Sequence, residues 1–197
     1  MVPTPEGRDR TFLTLAVLSG LREGEIIGLQ WGDIDWIKNL IAVRRTFYNG
    51  QFYSPKTDFA LRDVDMSDLL KAELSQYYIE CGKPGPETLI FHTKNGTPLD
   101  RHNVLNYIHM KAIEKAKIRY LPFHSLRHSY ASLLLEAGAS IVYVSRQLGH
   151  SQIQITIDYY AHLLPADSSQ REFLNSFTRK LLGSEGGQNR SPSEKGL

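Results

Sequence analysis

The sequence contains one cysteine, no long apolar run and almost no net charge, and each of these absences excludes a class of protein. A single cysteine, Cys81, excludes an internal disulfide framework and any cysteine-rich zinc module, so we expect a reducing, cytoplasmic setting. The longest apolar stretch, Phe12 to Leu18, is interrupted by Thr14 and is far shorter than the roughly 18 residues that a membrane span requires. We therefore expect no membrane segment.

The net charge of +2 argues against a strongly basic nucleic-acid-binding protein. This average conceals an uneven distribution, because residues 101–150 carry seven basic and two acidic side chains together with five of the seven histidines. A basic, histidine-rich block within a nearly neutral chain indicates a local anion site. The length of 197 residues suits one domain with a hydrophobic core.

Hydrophobic periodicity and turn residues predict a mainly helical α+β domain with one small sheet. A first helix is expected over 6–20, ended by Gly20, and a shorter one begins at Leu21. Alternating apolar and polar residues between Asp33 and Asp65, with turns such as Asn49-Gly50, predict a small antiparallel sheet.

The rest of the chain predicts more helices, a short strand and a tail. Ser67 is a good N-cap for a helix that ends near Ile79. Residues 89–91 are expected to form a short strand. Further helices are expected over 101–117, 124–137, 140–148, 152–160 and 166–182. Residues 183–197 have almost no apolar side chains, so we expect them to be disordered.

Two segments in the first third of the chain carry cations that suit an oxyanion. Arg22 begins a helix directly after a glycine turn, where its guanidinium and free backbone N–H groups form a clamp for phosphate or carboxylate. A plain surface arginine in a helix-initiating turn is the competing interpretation. Lys56 lies in a loop between expected strands, where a lysine is either simply solvated or serves as a mobile proton donor and phosphate contact.

A third segment places His124, Arg127 and His128 on one face of a helix, because they are spaced by three and four residues. Three cation-capable groups on one turn repel one another unless an anion lies among them, so an oxyanion ligand is favoured. The competing ligand is zinc, which His-x-x-x-His sequences bind. However, Ser125 stands where metalloproteases carry a glutamate, and Arg127 would repel a cation.

The last segment follows Leu148-Gly149-His150 and contains two adjacent tyrosines, Tyr159 and Tyr160. A tyrosine hydroxyl is a poor nucleophile at its ordinary pKa of about 10. Nearby arginine and histidine cations lower that pKa and also receive the oxyanion. Most tyrosines are amphipathic packing residues, so one tyrosine alone indicates little.

Taken in order, these segments form a specific pattern. They read Gly20-Leu21-Arg22-x-Gly-Glu, Pro-Lys56-Thr, His124-x-Leu-Arg-His, Leu-Gly-His150 and Thr-x-x-x-Tyr160-x-His. The set resembles the catalytic domain of the tyrosine recombinases, the phage integrase family, over about residues 5–182. The resemblance implies a mainly α, α+β fold: a helical bundle with a small three-stranded antiparallel sheet.

The resemblance also implies a catalytic residue set, which comprises Arg22, Lys56, His124, Arg127, His150 and Tyr160. Tyr159 is the rival nucleophile, because relatives differ by one residue in the spacing from the second histidine. The Tyr-x-His ending at His162 favours Tyr160. Glu25 and His128 are expected to lie behind this set and to orient the arginines and the helix.

The implied reaction is metal- and ATP-independent cleavage and rejoining of DNA strands through a 3′-phosphotyrosine, without a cofactor. Arginines suit the phosphate oxygens and His150 supplies a further hydrogen bond. Lys56 is the expected proton donor to the 5′ oxygen that leaves. His124 either accepts the tyrosine proton or orients the phosphate. Two alternatives are a recombinase-derived DNA-binding fragment or regulator without turnover, and a metal-dependent nuclease.

The implied partner is double-stranded DNA, with no membrane partner and a bacterial or phage origin. Family members place core-binding and arm-binding domains before this one, but only about twenty residues precede Arg22. We therefore interpret residues 1–182 as the catalytic domain, with 183–197 as the tail. A full-length protein would form a tetramer on DNA. This piece alone is expected to be monomeric and to bind DNA weakly and with strong salt dependence.

Overall fold

The computed structural model describes residues 7–54 and 61–160, together with Asn175. The helices are α1 (Arg8–Ser19), α2 (Glu23–Gly28), α3 (Asp68–Glu80), α4 (Arg101–Asn103), α5 (Met110–Ala116), α6 (His124–Glu136), α7 (Ile141–Leu148) and α8 (Ile153–Tyr160). The strands are β1 (Ile34–Asp35), β2 (Leu40–Val43), β3 (Thr46–Tyr48), β4 (Gln51–Tyr53) and β5 (Arg62–Asp65). A π-helical segment, Val104–His109, joins α4 to α5.

The mainly helical α+β architecture and the three-stranded antiparallel sheet predicted from the sequence are confirmed. The sheet has the order β1-β2-β5, and the pairing of Ile41 with both Ile34 and Val64 places apolar side chains on the buried face. Strands β3 and β4 form a separate hairpin. Its turn residues, Asn49 and Gly50, both have positive φ, which is the geometry of the tight hairpin turn expected from Asn-Gly.

The short strand predicted at residues 89–91 is wrong. Leu89 forms one isolated bridge with Gln30, and the Ile90 N–H donates to the Leu29 carbonyl at 2.9 Å, but no ladder continues from them. Ile90 and Phe91 are fully buried in the core. This apolar run therefore reflects burial of an irregular segment, which periodicity does not distinguish from a strand.

The predicted helix ends agree closely with the structure. Ser67 accepts a hydrogen bond from the Leu70 N–H and so caps α3 as expected. Gly20 and Gly149 end α1 and α7 in the left-handed conformation, as glycine C-caps do. The helix predicted over 166–182 and the tail at 183–197 lie outside the described residues. Within the described residues, no helix has the length and apolarity to cross a membrane.

Two apolar clusters hold these elements together. The larger one packs α1, α2 and α3 against the three-stranded sheet and includes the fully buried Phe12, Ile27 and Leu74. The smaller one lies among α6, α7 and α8 and includes Leu148 and Tyr160. Because α1 also packs on α6, the ends of α1, α6 and α7 are close together.

Gly149 lies where the end of α7 meets the buried side chain of Arg62. A Cβ on Gly149 would lie 2.8 Å from both Cδ and Nη1 of Arg62. The arginine has little room to retreat, because hydrogen bonds to Glu25 and Gln147 hold its guanidinium. Gly138 also has positive φ, but a Cβ there would meet nothing within 4 Å.

We therefore expect Gly149→Ala to destabilise the protein more than Gly138→Ala. The left-handed conformation alone costs alanine roughly 1 to 2 kcal/mol, and this is the whole cost expected for Gly138→Ala. The clash with Arg62 adds the cost of overpacking, so the total loss expected for Gly149→Ala is roughly 2 to 5 kcal/mol. The check is the free energy of unfolding from urea denaturation of both variants; equal losses would contradict the packing argument.

Candidate active site

Arg22 occupies the N-cap of α2 and is tied to Glu25 in two ways. Its backbone N–H donates to Glu25 Oε2 at 2.8 Å, and its Nη1 donates to Glu25 Oε1 at 2.8 Å. The Arg22 side chain is 42% exposed, whereas that of Glu25 is only 6% exposed. The buried carboxylate therefore aims the guanidinium while leaving part of it open to a ligand.

Arg62, on β5, approaches the same carboxylate from the other side. Its Nη1 and Nη2 donate to the two Glu25 oxygens at 3.0 and 2.9 Å, and its Nε donates to the Gln147 carbonyl at 2.9 Å. Burial alone would raise the pKa of Glu25, but the hydrogen bonds and charge of Arg62, with the charge of Arg22, lower it to about 2. Glu25 is therefore an anion shared by two arginines.

Arg127 lies in the first turns of α6 and is almost completely buried. Its Nη1 donates to the Gly20 carbonyl at 2.6 Å, and its Nη2 donates to the Leu148 carbonyl. Burial, followed by the charge of Arg22, lowers the pKa of Arg127 to about 9, so the guanidinium is still charged at neutral pH. Arg127 thereby fixes the ends of α1 and α7 around a buried positive charge.

His124 and His150 lie at helix ends beside these arginines. His124 is the exposed first residue of α6. Burial, then the nearby His128, Arg127 and Arg22, lower its pKa. His150 directly follows the α7 cap and shares a 2.8 Å hydrogen bond between its Nδ1 and the Thr156 hydroxyl. Burial and then Arg127 and Arg22 lower the pKa of His150 to about 4, so this ring is neutral at neutral pH.

His128 contacts the hydroxyl of Tyr160, with Nδ1 and Oη 2.6 Å apart. Tyr160 is only 4% exposed, whereas Tyr159 is 60% exposed. Burial raises the pKa of Tyr160, and the charge of Arg127 offsets only part of that increase. The geometry distinguishes the two adjacent tyrosines, because Tyr160 alone among them has its hydroxyl held by a histidine within the described residues.

Three of the predicted catalytic residues border one cavity of about 940 Å³, namely Arg22, His124 and Arg127, and Glu25 borders it as well. The lining also includes the β3–β4 hairpin, with Tyr48 and Tyr53. His150 and Tyr160 are not among the described residues that line this cavity; they lie at the end of α7 and in α8. The lining contains four arginines and three carboxylates, and two of these carboxylates, Glu23 and Glu25, are already paired with arginines. The partly exposed guanidinium of Arg22 suits an anionic ligand.

The structure brings together five of the six predicted catalytic residues, and the sixth lies outside the described residues. That residue is Lys56, and the same applies to His162 of the Tyr-x-His ending. Within the described residues, no group of three histidine, cysteine or carboxylate side chains is arranged to hold a metal ion.

Arg62 is the residue of this site whose role the sequence did not reveal. The sequence pattern contains Arg62 only as the arginine that follows the Pro-Lys-Thr segment. Its position two residues before Val64 places both on one face of β5, since alternate residues of a strand share a face. A cation on the buried face of a strand needs a carboxylate partner, which here is Glu25. That partner lies 37 residues away in the chain, so only the fold shows the pair.

Comparison with known proteins finds a matching family and related sequences. The model of the phage integrase family matches residues 3–166. A tyrosine recombinase XerC-like protein of Caldanaerobacter subterraneus subsp. tengcongensis is 32% identical over 182 residues, covering 80% of this chain and 46% of that protein. The ICEBs1 integrase of Bacillus subtilis is 32% identical over 177 residues, covering 84% of this chain and 48% of that protein. The chain thus spans about half the length of these relatives.

A solved structure of the Tn1549 transposon integrase, in complex with transposon right end DNA, has the same fold. Its TM-score is 0.64 at 25% sequence identity, and the match covers 86% of this chain and 58% of that chain. The comparisons therefore agree with the ordered motifs and with the fold.

Proposed function

Because this chain belongs to the phage integrase family, we propose that it is the catalytic domain of a site-specific DNA recombinase that breaks and rejoins strands through a 3′-phosphotyrosine. The observation that carries the proposal is the arrangement on α6. One helical turn places Arg127 and His124 at the cavity and His128 on the Tyr160 hydroxyl. The same helix, α6, therefore carries the proposed phosphate-binding residue Arg127 and the histidine that contacts the proposed nucleophile.

The proposed reaction begins with attack of the Tyr160 oxygen on a DNA phosphodiester. Negative charge then develops on the non-bridging oxygens, and positioned cations stabilise that charge. Arg22 and Arg127 suit this role, since both guanidinia stay charged and present forked donors. His124 and His150 supply further hydrogen bonds from the helix ends, where neutral imidazoles donate without adding repulsion.

Bond cleavage releases the 5′ oxygen, and Lys56 is proposed to protonate it. The phosphotyrosine conserves the energy of the broken bond, so a second 5′ hydroxyl can attack it and restore a phosphodiester. This cycle requires neither ATP nor a metal ion in our proposal. Double-stranded DNA is the proposed substrate, supported by the DNA complex of the Tn1549 transposon integrase. A tetramer on DNA is proposed for a full-length protein.

The proposal is tested with a nicked duplex from which the short cleaved strand dissociates, so that the covalent intermediate cannot be resealed. We expect the full chain to form a denaturant-resistant protein–DNA adduct, and we expect it to form equally in excess chelator. The adduct is measured by denaturing electrophoresis with a labelled strand.

Two outcomes would contradict the proposal. DNA binding without an adduct, on both intact and nicked duplexes, would favour a non-catalytic DNA-binding fragment. An activity that disappears in chelator and leaves no protein-linked DNA would favour a metal-dependent nuclease.

A further inference from the structure

We propose that His128 is a further catalytic residue, which accepts the Tyr160 hydroxyl proton on Nδ1 during cleavage and returns it during rejoining. This inference depends on the proposed function. From the sequence, His128 was expected only to orient its neighbours. The structure places its Nδ1 at 2.6 Å from Tyr160 Oη, in direct contact with the atom that would react.

A proton acceptor in contact with Tyr160 is required by the surroundings of that side chain. The ring packs into the apolar cluster of α6, α7 and α8 with Ala131, Val144 and Leu148, and only 4% of the residue is exposed. An isolated tyrosinate is costly in such a place, so the hydroxyl does not ionise before it attacks. The proton must leave as the oxygen–phosphorus bond forms, which requires a base within hydrogen-bond reach.

The other two histidines of the site are less suited to this role. His150 has its Nδ1 engaged by the Thr156 hydroxyl. His124 stacks edge-on against His128, with ring centroids 4.7 Å apart, and has no hydrogen bond to Tyr160 within the described residues. The His128 ring thus lies against both His124 and Tyr160, while His124 lines the cavity.

The protonation state of His128 agrees with the role of a base. Burial, and then the charge of the adjacent Arg127, lower its pKa, so the ring is neutral at neutral pH and Nδ1 has a free lone pair. In the tautomer with the proton on Nε2, Nδ1 accepts the hydrogen bond from the Tyr160 hydroxyl. A substrate phosphate beside Arg127 would reduce the repulsion that the resulting imidazolium meets.

The proposed step is balanced in atoms and charge. As Tyr160 Oη bonds to phosphorus, its proton moves to Nδ1, the phosphorus–5′ oxygen bond breaks, and the departing oxygen takes a proton from Lys56. In rejoining, the 5′ hydroxyl attacks the phosphotyrosine and gives its proton to the neutral amine that Lys56 became during cleavage. The imidazolium of His128 returns its proton to the departing Tyr160 oxygen. No oxidant, metal or cofactor enters the step.

The experiment separates the two proton transfers by changing the leaving atom. Adduct formation is timed with the nicked duplex and with the same duplex carrying sulfur in place of the bridging 5′ oxygen. A departing thiolate needs no proton, so sulfur removes the requirement for an acid but not for a base. We expect Lys56→Ala to form the adduct slowly with the oxygen-containing duplex and at close to the unmodified protein's rate with the sulfur-containing duplex. His128→Asn is expected to be slowed roughly 100-fold or more on both substrates.

The choice of variants distinguishes a base from a structural contact. Asparagine places an amide near the position of Nδ1, so His128→Asn retains a hydrogen bond to Tyr160 but cannot take a proton. His128→Ala removes both, and added imidazole is expected to restore its adduct formation, while it restores nothing in Tyr160→Phe. Urea denaturation of each variant establishes that it is folded.

Several results would overturn the inference. Adduct formation by His128→Asn at the unmodified rate would show that a hydrogen bond suffices. Restoration of His128→Asn by sulfur would place His128 on the leaving group. Imidazole rescue of His124→Ala, without rescue of His128→Ala, would assign the base to His124. By contrast, absence of an adduct with the unmodified chain on either substrate would refute the proposed function, and the inference with it.

Discussion

Tyr160→Phe is expected to abolish the covalent protein–DNA adduct, while Tyr159→Phe retains it. The substitution removes only the hydroxyl that His128 holds at 2.6 Å, and the phenyl ring still fills its place among α6, α7 and α8. Loss of a nucleophile from an assembled site removes nearly all of its catalysis, so we expect a decrease of roughly 10⁴-fold or more. The measurement is the labelled adduct on the nicked duplex.

Tyr159→Phe is the matched control, because it makes the same chemical change at the adjacent residue. Tyr159 is 60% exposed and its ring lies 5.6 Å from that of His128. A variant pattern in which the adduct survives Tyr160→Phe but not Tyr159→Phe would move the nucleophile to the exposed tyrosine. It would also remove the contact on which the role of His128 depends.

The second large effect concerns stability, and we expect Glu25→Gln to lower the free energy of unfolding by about 3 to 5 kcal/mol. The side chains of Arg62 and Glu25 are 4% and 6% exposed, so the substitution leaves a buried guanidinium without its counter-charge. Arg22 loses the same partner. The measurement is urea denaturation of the full chain, compared with the unmodified protein.

Asp63→Asn is the matched control for this prediction. Asp63 lies on the same strand as Arg62 and forms an ion pair with Arg44 at 2.7 Å, but the side chains are 48% and 44% exposed. Exposed pairs contribute about 0 to 1 kcal/mol, because water screens them. Comparable losses from Asp63→Asn and Glu25→Gln would contradict the assignment of Glu25 as a buried, shared counter-ion.

Acid titration gives an independent check on the same carboxylate. The pKa of Glu25 is lowered from 4.5 to about 2, so its contribution is fully present above pH 4.5 and is lost as the pH falls towards 2. We expect the unmodified protein to lose more stability across this interval than Glu25→Gln does. An equal decrease in both proteins would show that Glu25 is not strongly ionised in the fold.

Several parts of the fold were predictable because they depend on local chemistry. Ser67 caps α3 through its own hydroxyl, Asn49 and Gly50 adopt the backbone angles of a tight turn, and Gly149 ends α7 in the left-handed conformation. Each of these signals acts within a few residues. The prediction of a strand at 89–91 is wrong because its apolar residues are buried in the core, and only Leu89 forms an isolated bridge with a neighbouring segment.

The sequence by itself determined the family pattern and the chemical character of the site. The motifs name Arg22, His124, Arg127, His150 and Tyr160, and α6 places its histidines and arginine within about one helical turn by spacing alone. Such information is local or is carried by the order of short motifs, so it is readable without coordinates.

Only the tertiary structure decided which groups touch. It paired Arg62 with Glu25 across 37 residues, hydrogen-bonded the hydroxyl of Tyr160 to His128, and buried the Tyr160 ring so that its proton needs an acceptor. These contacts arise from packing between elements that are distant in the chain. Burial there raises the free-energy cost of an unpaired charge, and small differences in position decide which hydroxyl forms the hydrogen bond. The amino-acid composition and the net charge of +2 do not indicate any of these contacts.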